Sequence, residues 1–134
     1  MKQEELEELM QQSAADAVST AQEELAITLD YSIESISLVD DVILQLREKY
    51  PEQILEDKAV FTICNIFGAY IGEVFLATAG GKWLYDVSDP ASPSIFMQHG
   101  EHTFAFAGVC FEKLVRDLSV SITHYFEQAL ENVS

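Results

Sequence analysis

The chain has 134 residues, and its 49% hydrophobic content is typical of one globular domain of ordinary size. Its 23 acidic and 7 basic residues give a formal net charge of −16. A field of this sign repels nucleic-acid phosphates and anionic lipids, so neither nucleic acid nor a membrane is expected as a partner.

The negative charge is concentrated in the N-terminal part of the chain. Residues 1–57 contain 15 acidic and 3 basic residues, whereas residues 58–134 contain 8 and 4. This distribution favours a basic protein partner that approaches the N-terminal half. The same charge also fits a solvated helix face that serves only solubility.

Cysteine usage and the N-terminal segment both favour a cytoplasmic location. Cys64 and Cys110 lie in apolar helical patterns, where cysteine behaves as a small hydrophobe, so no disulfide or metal framework is predicted. Residues 1–5 are charged and lack the apolar core of a secretory signal. No uninterrupted apolar run approaches the ~18 residues of a membrane span.

Residues 2–27 predict a first helix with a Glu- and Gln-rich outer side. Because its inner stripe weakens to alanine and serine after Met10, this acidic helix is expected to dock loosely. The inner positions recur at steps of three and four residues: Leu6, Leu9, Met10, Ala14, Ala17, Ala21 and Leu25.

A second helix is predicted to open at Asp30-Tyr31-Ser32, with Asp30 or Ser32 as its N-cap. It ends before Pro51, because the residue that precedes a proline is pushed out of helical geometry. Its single apolar face is typical of a helix that packs on one side only.

A third helix is predicted from about residue 54 or 58 to Thr78, and it is apolar nearly all round. Such a helix is buried nearly all round, so it is expected to be the central element. Gly68 and Gly72 lie on one of its faces. Since glycine costs about 1 kcal/mol against alanine inside a helix, the pair predicts a close approach by a neighbouring helix or by the sheet.

The pattern then changes to three short aromatic and branched segments, 82–87, 94–98 and 102–106, which predict an antiparallel meander. A final helix is predicted over about 108–132. The sequence therefore predicts a single α+β domain, residues 1–134, with about four helices packed on a small three-stranded antiparallel sheet.

The segment His99-Gly100-Glu101-His102 is the place where histidine and carboxylate cluster. Two imidazoles and a carboxylate form a known ligand set for zinc or non-haem iron. In a continuous strand, however, His99 and His102 point to opposite faces. A β-turn with polar residues at its tip is the structural alternative to a metal site.

Glu73 is a carboxylate inside the most apolar helix. If it is buried it must find a partner, and the candidate donors are Lys82, Trp83 Nε1 and nearby backbone amides. It is then either a general base with a raised pKa or a polar tie between the helix and the next strand.

Trp83 and Tyr85 are predicted to share one face of the first strand. With Tyr70 they line a ligand pocket if that face is open, and they belong to the core if the third helix covers it. Nucleophile elbows and phosphate-binding loops are absent from the sequence.

Three motifs resemble a family of small bacterial domains of unknown function. They are Leu29-Asp30-Tyr31-Ser32, Gly68-Ala69-Tyr70-Ile71-Gly72-Glu73-Val74 and Gly80-Gly81-Lys82-Trp83. The resemblance covers about residues 26–90 and implies a compact α+β domain of bacterial cells. It implies no reaction, cofactor or catalytic residue.

The sequence favours a non-enzymatic protein-binding module, of adaptor or immunity type, without a cofactor. Its acidic surface, chiefly the first helix with Asp40 and Asp41, is expected to bind a basic protein or a second copy of the chain. The alternatives are a small metal-dependent hydrolase, which uses the 99–102 turn, and a small-molecule sensor with an aromatic pocket.

Overall fold

The computed structural model describes residues 1–91 and 93–134. These residues form an α+β domain, as predicted, with five α-helices in place of about four. The helices are α1 (Gln3–Leu25), α2 (Ile36–Lys49), α3 (Asp57–Ala79), α4 (Phe106–Phe111) and α5 (Ile122–Val133). The strands are β1 (Lys82–Asp86), β2 (Ser94–His99) and β3 (His102–Phe104).

Helix α3 is the centre of the fold, as its apolar pattern predicts. Phe67, Tyr70, Ile71 and Phe75 are completely buried. By length and composition α3 could also cross a membrane, but 67% of its most apolar window is buried inside the fold. The core helix of a soluble protein has the same composition, so this property does not decide membrane association.

The two glycines of α3 lie where its neighbours approach most closely. A Cβ atom on Gly68 would lie 2.7 Å from the Cα of Ala107 in α4. A Cβ atom on Gly72 would lie 2.0 Å from Cη2 of Trp83 in β1. Both predicted contacts are therefore present, one with a helix and one with the sheet.

Helix α1 packs along α3 through small side chains. Ala14, Ala17 and Ala21 are completely buried, and Leu6 and Met10 are 1% and 7% exposed. Alanine allows two helix backbones to come close, so the weak stripe of this helix produces a tight contact. The first turns of α1, which were expected to dock loosely, bury their inner side chains against the core.

Helix α2 begins after a single 3₁₀ turn, Ile33–Ser35, so it starts later than the sequence indicates. Of the two predicted caps, Ser32 caps this turn, because its hydroxyl accepts a hydrogen bond from the Ser35 amide at 3.2 Å. The helix ends at Lys49, immediately before Tyr50 and Pro51.

The three strands form the predicted meander in the order β1-β2-β3, with both pairs antiparallel. Trp83 pairs with Met97, and Met97 pairs with Phe104, so these three residues form one row across the sheet. All three are buried. The third strand ends at Phe104, and Phe106 already belongs to α4.

The prediction of one continuous final helix over 108–132 is wrong, because the helix is interrupted. Helix α4 continues through one π-helical turn, Glu112–Arg116, and residues 117–121 then leave helical geometry before α5 begins. The interruption exposes the carbonyls of Leu118 and Val120 to Lys113, whose Nζ donates to them at 2.8 and 2.6 Å. Lys113 is 4% exposed, so these bonds satisfy a buried cation.

Candidate functional site

Residues from the three motifs meet on one side of α3. Tyr31, from the segment before α2, stacks at a tilt on Tyr70 of α3, with ring centroids 4.9 Å apart. One turn further along α3, Glu73 Oε2 accepts a hydrogen bond of 2.9 Å from Trp83 Nε1. Segments that are far apart in the sequence therefore form one contiguous cluster.

The hydroxyl of Tyr70 is part of a directional chain of hydrogen bonds. The Tyr31 amide donates to Tyr70 Oη at 2.8 Å, and Tyr70 Oη lies 2.6 Å from Ser35 Oγ. Ser35 uses its only hydroxyl hydrogen on the Ser32 carbonyl at 2.6 Å. Tyr70 must therefore donate to Ser35. The chain of hydrogen bonds begins at the Tyr31 amide, passes through the hydroxyls of Tyr70 and Ser35, and ends at the Ser32 carbonyl as the last acceptor.

Tyr31 has a backbone conformation that is uncommon for a residue with a side chain. Its φ is +65°, in the left-handed region, and 41% of its surface is exposed. Partial burial, with a smaller contribution from the charge of Glu73, raises the pKa of its phenol. The hydrogen bond to Tyr70 and the ring contact hold this conformation, which costs roughly 1–3 kcal/mol.

Glu73 acts as a tie between α3 and β1. Trp83 Nε1 is one of the donors predicted for it, and the 2.9 Å bond joins the helix to the strand across the Gly72 contact. This bond is the one expected for the structural role, and the role as a general base stays a prediction. Its carboxylate is half-buried, and the bond orients one of its oxygens.

Tyr70 and Trp83 are core residues. They are 0% and 3% exposed, so their rings fill the interior and do not line an open pocket. Tyr85, two residues along β1, is 36% exposed. The predicted set of three pocket aromatics is therefore divided between the core and the surface.

The histidines flank the β2–β3 turn. His99 pairs with His102 across the hairpin, so the two side chains share one face, and the prediction for a continuous strand does not apply. The His99 ring lies edge-on to Phe75, and the His102 ring is stacked with Phe104. Among the residues described, no group of three or more His, Cys, Asp or Glu residues, Glu101 included, could hold a metal ion.

Asp40 and Asp41 have different environments. Asp41 is exposed, whereas the Asp40 side chain is only 15% exposed and accepts hydrogen bonds at the start of α5. Its donors are the amides of Ile122 and Thr123, at 2.8 and 2.9 Å, and the Thr123 hydroxyl, at 2.6 Å. Asp40 is therefore an internal cap for α5 and not a surface binding residue.

Lys113 completes this internal site, and the sequence analysis did not identify it. Its Nζ lies 3.4 Å from Asp40 Oδ1, so the buried cation and the partly buried anion neutralise each other. The sequence contains one signal of this site, because Lys113 lies three residues after Cys110, within a helix that is otherwise predicted to be apolar on that side. The pair holds α2, the π-helical turn and α5 together.

An apolar groove lies between the start of α3 and the region of α4 and its π-helical turn. Its volume is about 500 Å³. The apolar side chains that line it are those of Leu55, Val60, Phe61, Cys64, Phe111 and Val115. Phe61 is 72% exposed, which differs from the all-round burial that the pattern of α3 predicts.

A second, smaller cleft of about 370 Å³ lies at one end of the sheet. It is lined by Gly81, Lys82, Gln98 and Gly100. The charged group among these residues is the exposed Lys82, and the arrangement has no acid–base pair.

Comparison of the chain with protein-family models, curated proteins and solved structures finds no match. The resemblance to a bacterial domain family depends on the sequence motifs alone and stays a prediction. The function must therefore be argued from the surfaces and contacts described above.

Proposed function

We propose that the chain is a non-enzymatic protein-binding module whose acidic surface binds a basic protein partner. The observation that carries this proposal is the distribution of charge over the fold. Every acidic side chain is exposed except those of Glu24, Asp40, Glu73 and Asp86. The exterior of the domain is thus covered by carboxylates.

The basic side chains offset little of this charge. Lys113 is buried, and Arg47 donates a hydrogen bond of 2.7 Å to a main-chain carbonyl. Lys49 and Arg116 each lie within ion-pair distance of a glutamate. The field around the molecule is therefore strongly negative, and such fields raise the association rate of a cationic partner by about 10–10³-fold.

The outer face of α1 carries a cluster of exposed carboxylates. Because the inner face of α1 is buried against α3, its carboxylates project from a fixed scaffold and lose little freedom on binding. The first two turns of the helix contribute the exposed residues Glu4, Glu5, Glu7 and Glu8.

The test is native mass spectrometry of the chain taken from its own cells under gentle conditions. A mass equal to the chain plus a basic protein is the expected result. Two variants with the same change of charge are compared, Glu4→Lys/Glu8→Lys on α1 and Glu127→Lys/Glu131→Lys on α5. The α1 variant should lose the partner, and the α5 variant should keep it.

Three outcomes would contradict the proposal. The first is a bare monomer or dimer from cells, and the second is retention of the partner by the α1 variant. The third is a metal or small-molecule increment on the mass, which would favour the 99–102 turn or a ligand pocket. Thermal melting of both variants confirms that each one is folded.

A further inference from the structure

Phe61 projects from the central helix at the edge of the apolar groove described above. Phe61 is more exposed than any other large hydrophobic side chain among residues 1–91 and 93–134, at 72%, although it belongs to the central helix. Five further apolar side chains line the groove next to it. Apolar surface that is contiguous and exposed marks an interaction site more often than isolated apolar residues do.

The position of Phe61 favours a macromolecular occupant over a small molecule. A small compound seated in the groove would contact the side of the Phe61 ring that lines it and would leave the rest of this 72% exposed side chain in water. A protein segment laid across the groove would cover both the ring and the cavity, and the gain from apolar burial grows with the area covered. The groove volume of about 500 Å³ is large enough for an apolar side chain of such a segment.

The charges around the groove indicate the kind of segment. Asp57 lines the groove, the exposed Glu56 precedes it in the chain, and the exposed Glu112 follows the lining residue Phe111. The exposed Lys58 follows Asp57 in the chain, and Arg116 lies over the ring of Phe111 and within ion-pair distance of Glu112. The rim is thus acidic in balance and complements a basic segment.

A second copy of the chain does not fit this surface. Each copy has a net charge of −16, and two copies would bring acidic rims together. We infer that the groove is the docking site for a basic segment of the partner protein, with an apolar side chain as the anchor and lysine or arginine beside it. This inference rests on the proposed function and assigns it a specific site.

The experiment uses the full ¹⁵N-labelled chain and a lysine-rich helical peptide with a stripe of leucines on one face. The matched probe is the same peptide with alanine in place of every leucine. Binding is followed by amide chemical shifts at low salt. The leucine peptide should shift the amides of Val60, Phe61, Cys64, Phe111 and Val115 and should bind about tenfold more tightly than the alanine peptide.

Variants of the chain then test the groove itself. Phe61→Ser should weaken binding of the leucine peptide about tenfold and leave binding of the alanine peptide unchanged. Ile33→Ser is the matched control, because Ile33 is 47% exposed and does not line the groove. Both side chains are exposed, so neither substitution disturbs the core.

The possible failures can be told apart. If both peptides bind with equal affinity and Phe61→Ser has no effect, the acidic surface binds basic segments but the groove is not the docking site. If neither peptide binds at low salt, the proposed function and this inference are both overturned. If the leucine peptide binds but shifts only the amides of α1, the groove assignment is wrong.

Discussion

The internal pair of Asp40 and Lys113 gives the sharpest test of the fold. Replacement of Asp40 by alanine removes three hydrogen bonds at the start of α5 and leaves Lys113 without its counter-charge. Loss of a helix cap costs about 1 kcal/mol, and breaking a buried ion pair costs about 3–5 kcal/mol. Because Lys113 keeps two carbonyl acceptors, we expect a loss near the lower end, about 3 kcal/mol.

The assay is equilibrium unfolding in urea, followed by the fluorescence of Trp83, the one tryptophan of the chain. Asp41→Ala is the matched control, because Asp41 is adjacent and exposed. Substitutions at such surface positions usually change stability by no more than about 0.5 kcal/mol. The large loss should therefore appear at position 40 alone.

A second substitution separates the ion pair from the cap. In Asp40→Ala/Lys113→Met no buried cation remains, so the double variant should lose less stability than the two single losses combined. If Asp40→Ala differs from Asp41→Ala by less than about 1 kcal/mol, the reasoning from the buried pair is refuted. Additive losses would show instead that Asp40 and Lys113 act independently.

Three further predictions follow from the contacts of α3. Gly72→Ala should lower the free energy of unfolding in urea by an overpacking cost of about 1–3 kcal/mol, and an unchanged value would disprove the contact. Recovery in Gly72→Ala/Trp83→Phe, followed by far-UV circular dichroism because this variant has no tryptophan, would locate the clash at the indole. Glu73→Leu should lower the free energy of unfolding by about 1–3 kcal/mol and shift the fluorescence emission of Trp83, because it removes the acceptor of the indole N–H. Glu73→Gln should retain the hydrogen bond to Trp83. Identical behaviour of the two variants would argue against this bond. Burial raises the pKa of Cys64 from 9.0 to about 11, so its alkylation by iodoacetamide should increase about tenfold per pH unit up to that value. A plateau in the alkylation rate well below pH 11 would contradict the raised pKa. Because the folded state holds this proton more tightly, the stability that Cys64 contributes below pH 9.0 should be lost as the pH rises to about 11.

The parts of the fold that could be predicted depend on local pattern. The sequence shows directly that α3 is apolar nearly all round. The close contacts at its two glycines and the Glu73–Trp83 bond could be predicted, because glycine and a carboxylate are both costly inside an apolar helix unless a neighbour requires or satisfies them. The meander was accessible as well, because short branched segments separated by turn residues specify it.

The parts that could not be predicted depend on contacts between distant residues. The apolar spacing continues through residues 117–121 and masks the local signals of a break, the turn at Asp117 and the N-cap at Ser121. The interruption accompanies the bonds of Lys113 to the carbonyls of this segment and those of Asp40 to the start of α5. The exposure of Phe61 also lacks a local signal, because the periodicity of an apolar helix does not show which of its sides remains uncovered. The opposition of His99 and His102 depends on the length of the turn between them.

The directional hydrogen bonds around Tyr70 have a consequence for the dynamics of the segment before α2. Tyr31 lies in an exposed turn, where amide hydrogens ordinarily exchange with deuterium quickly, yet its amide is bonded to a phenol in the core. Its exchange is therefore expected to be slow and to require the departure of this segment from α3. A single amide signal would then report how often the surface separates from the central helix.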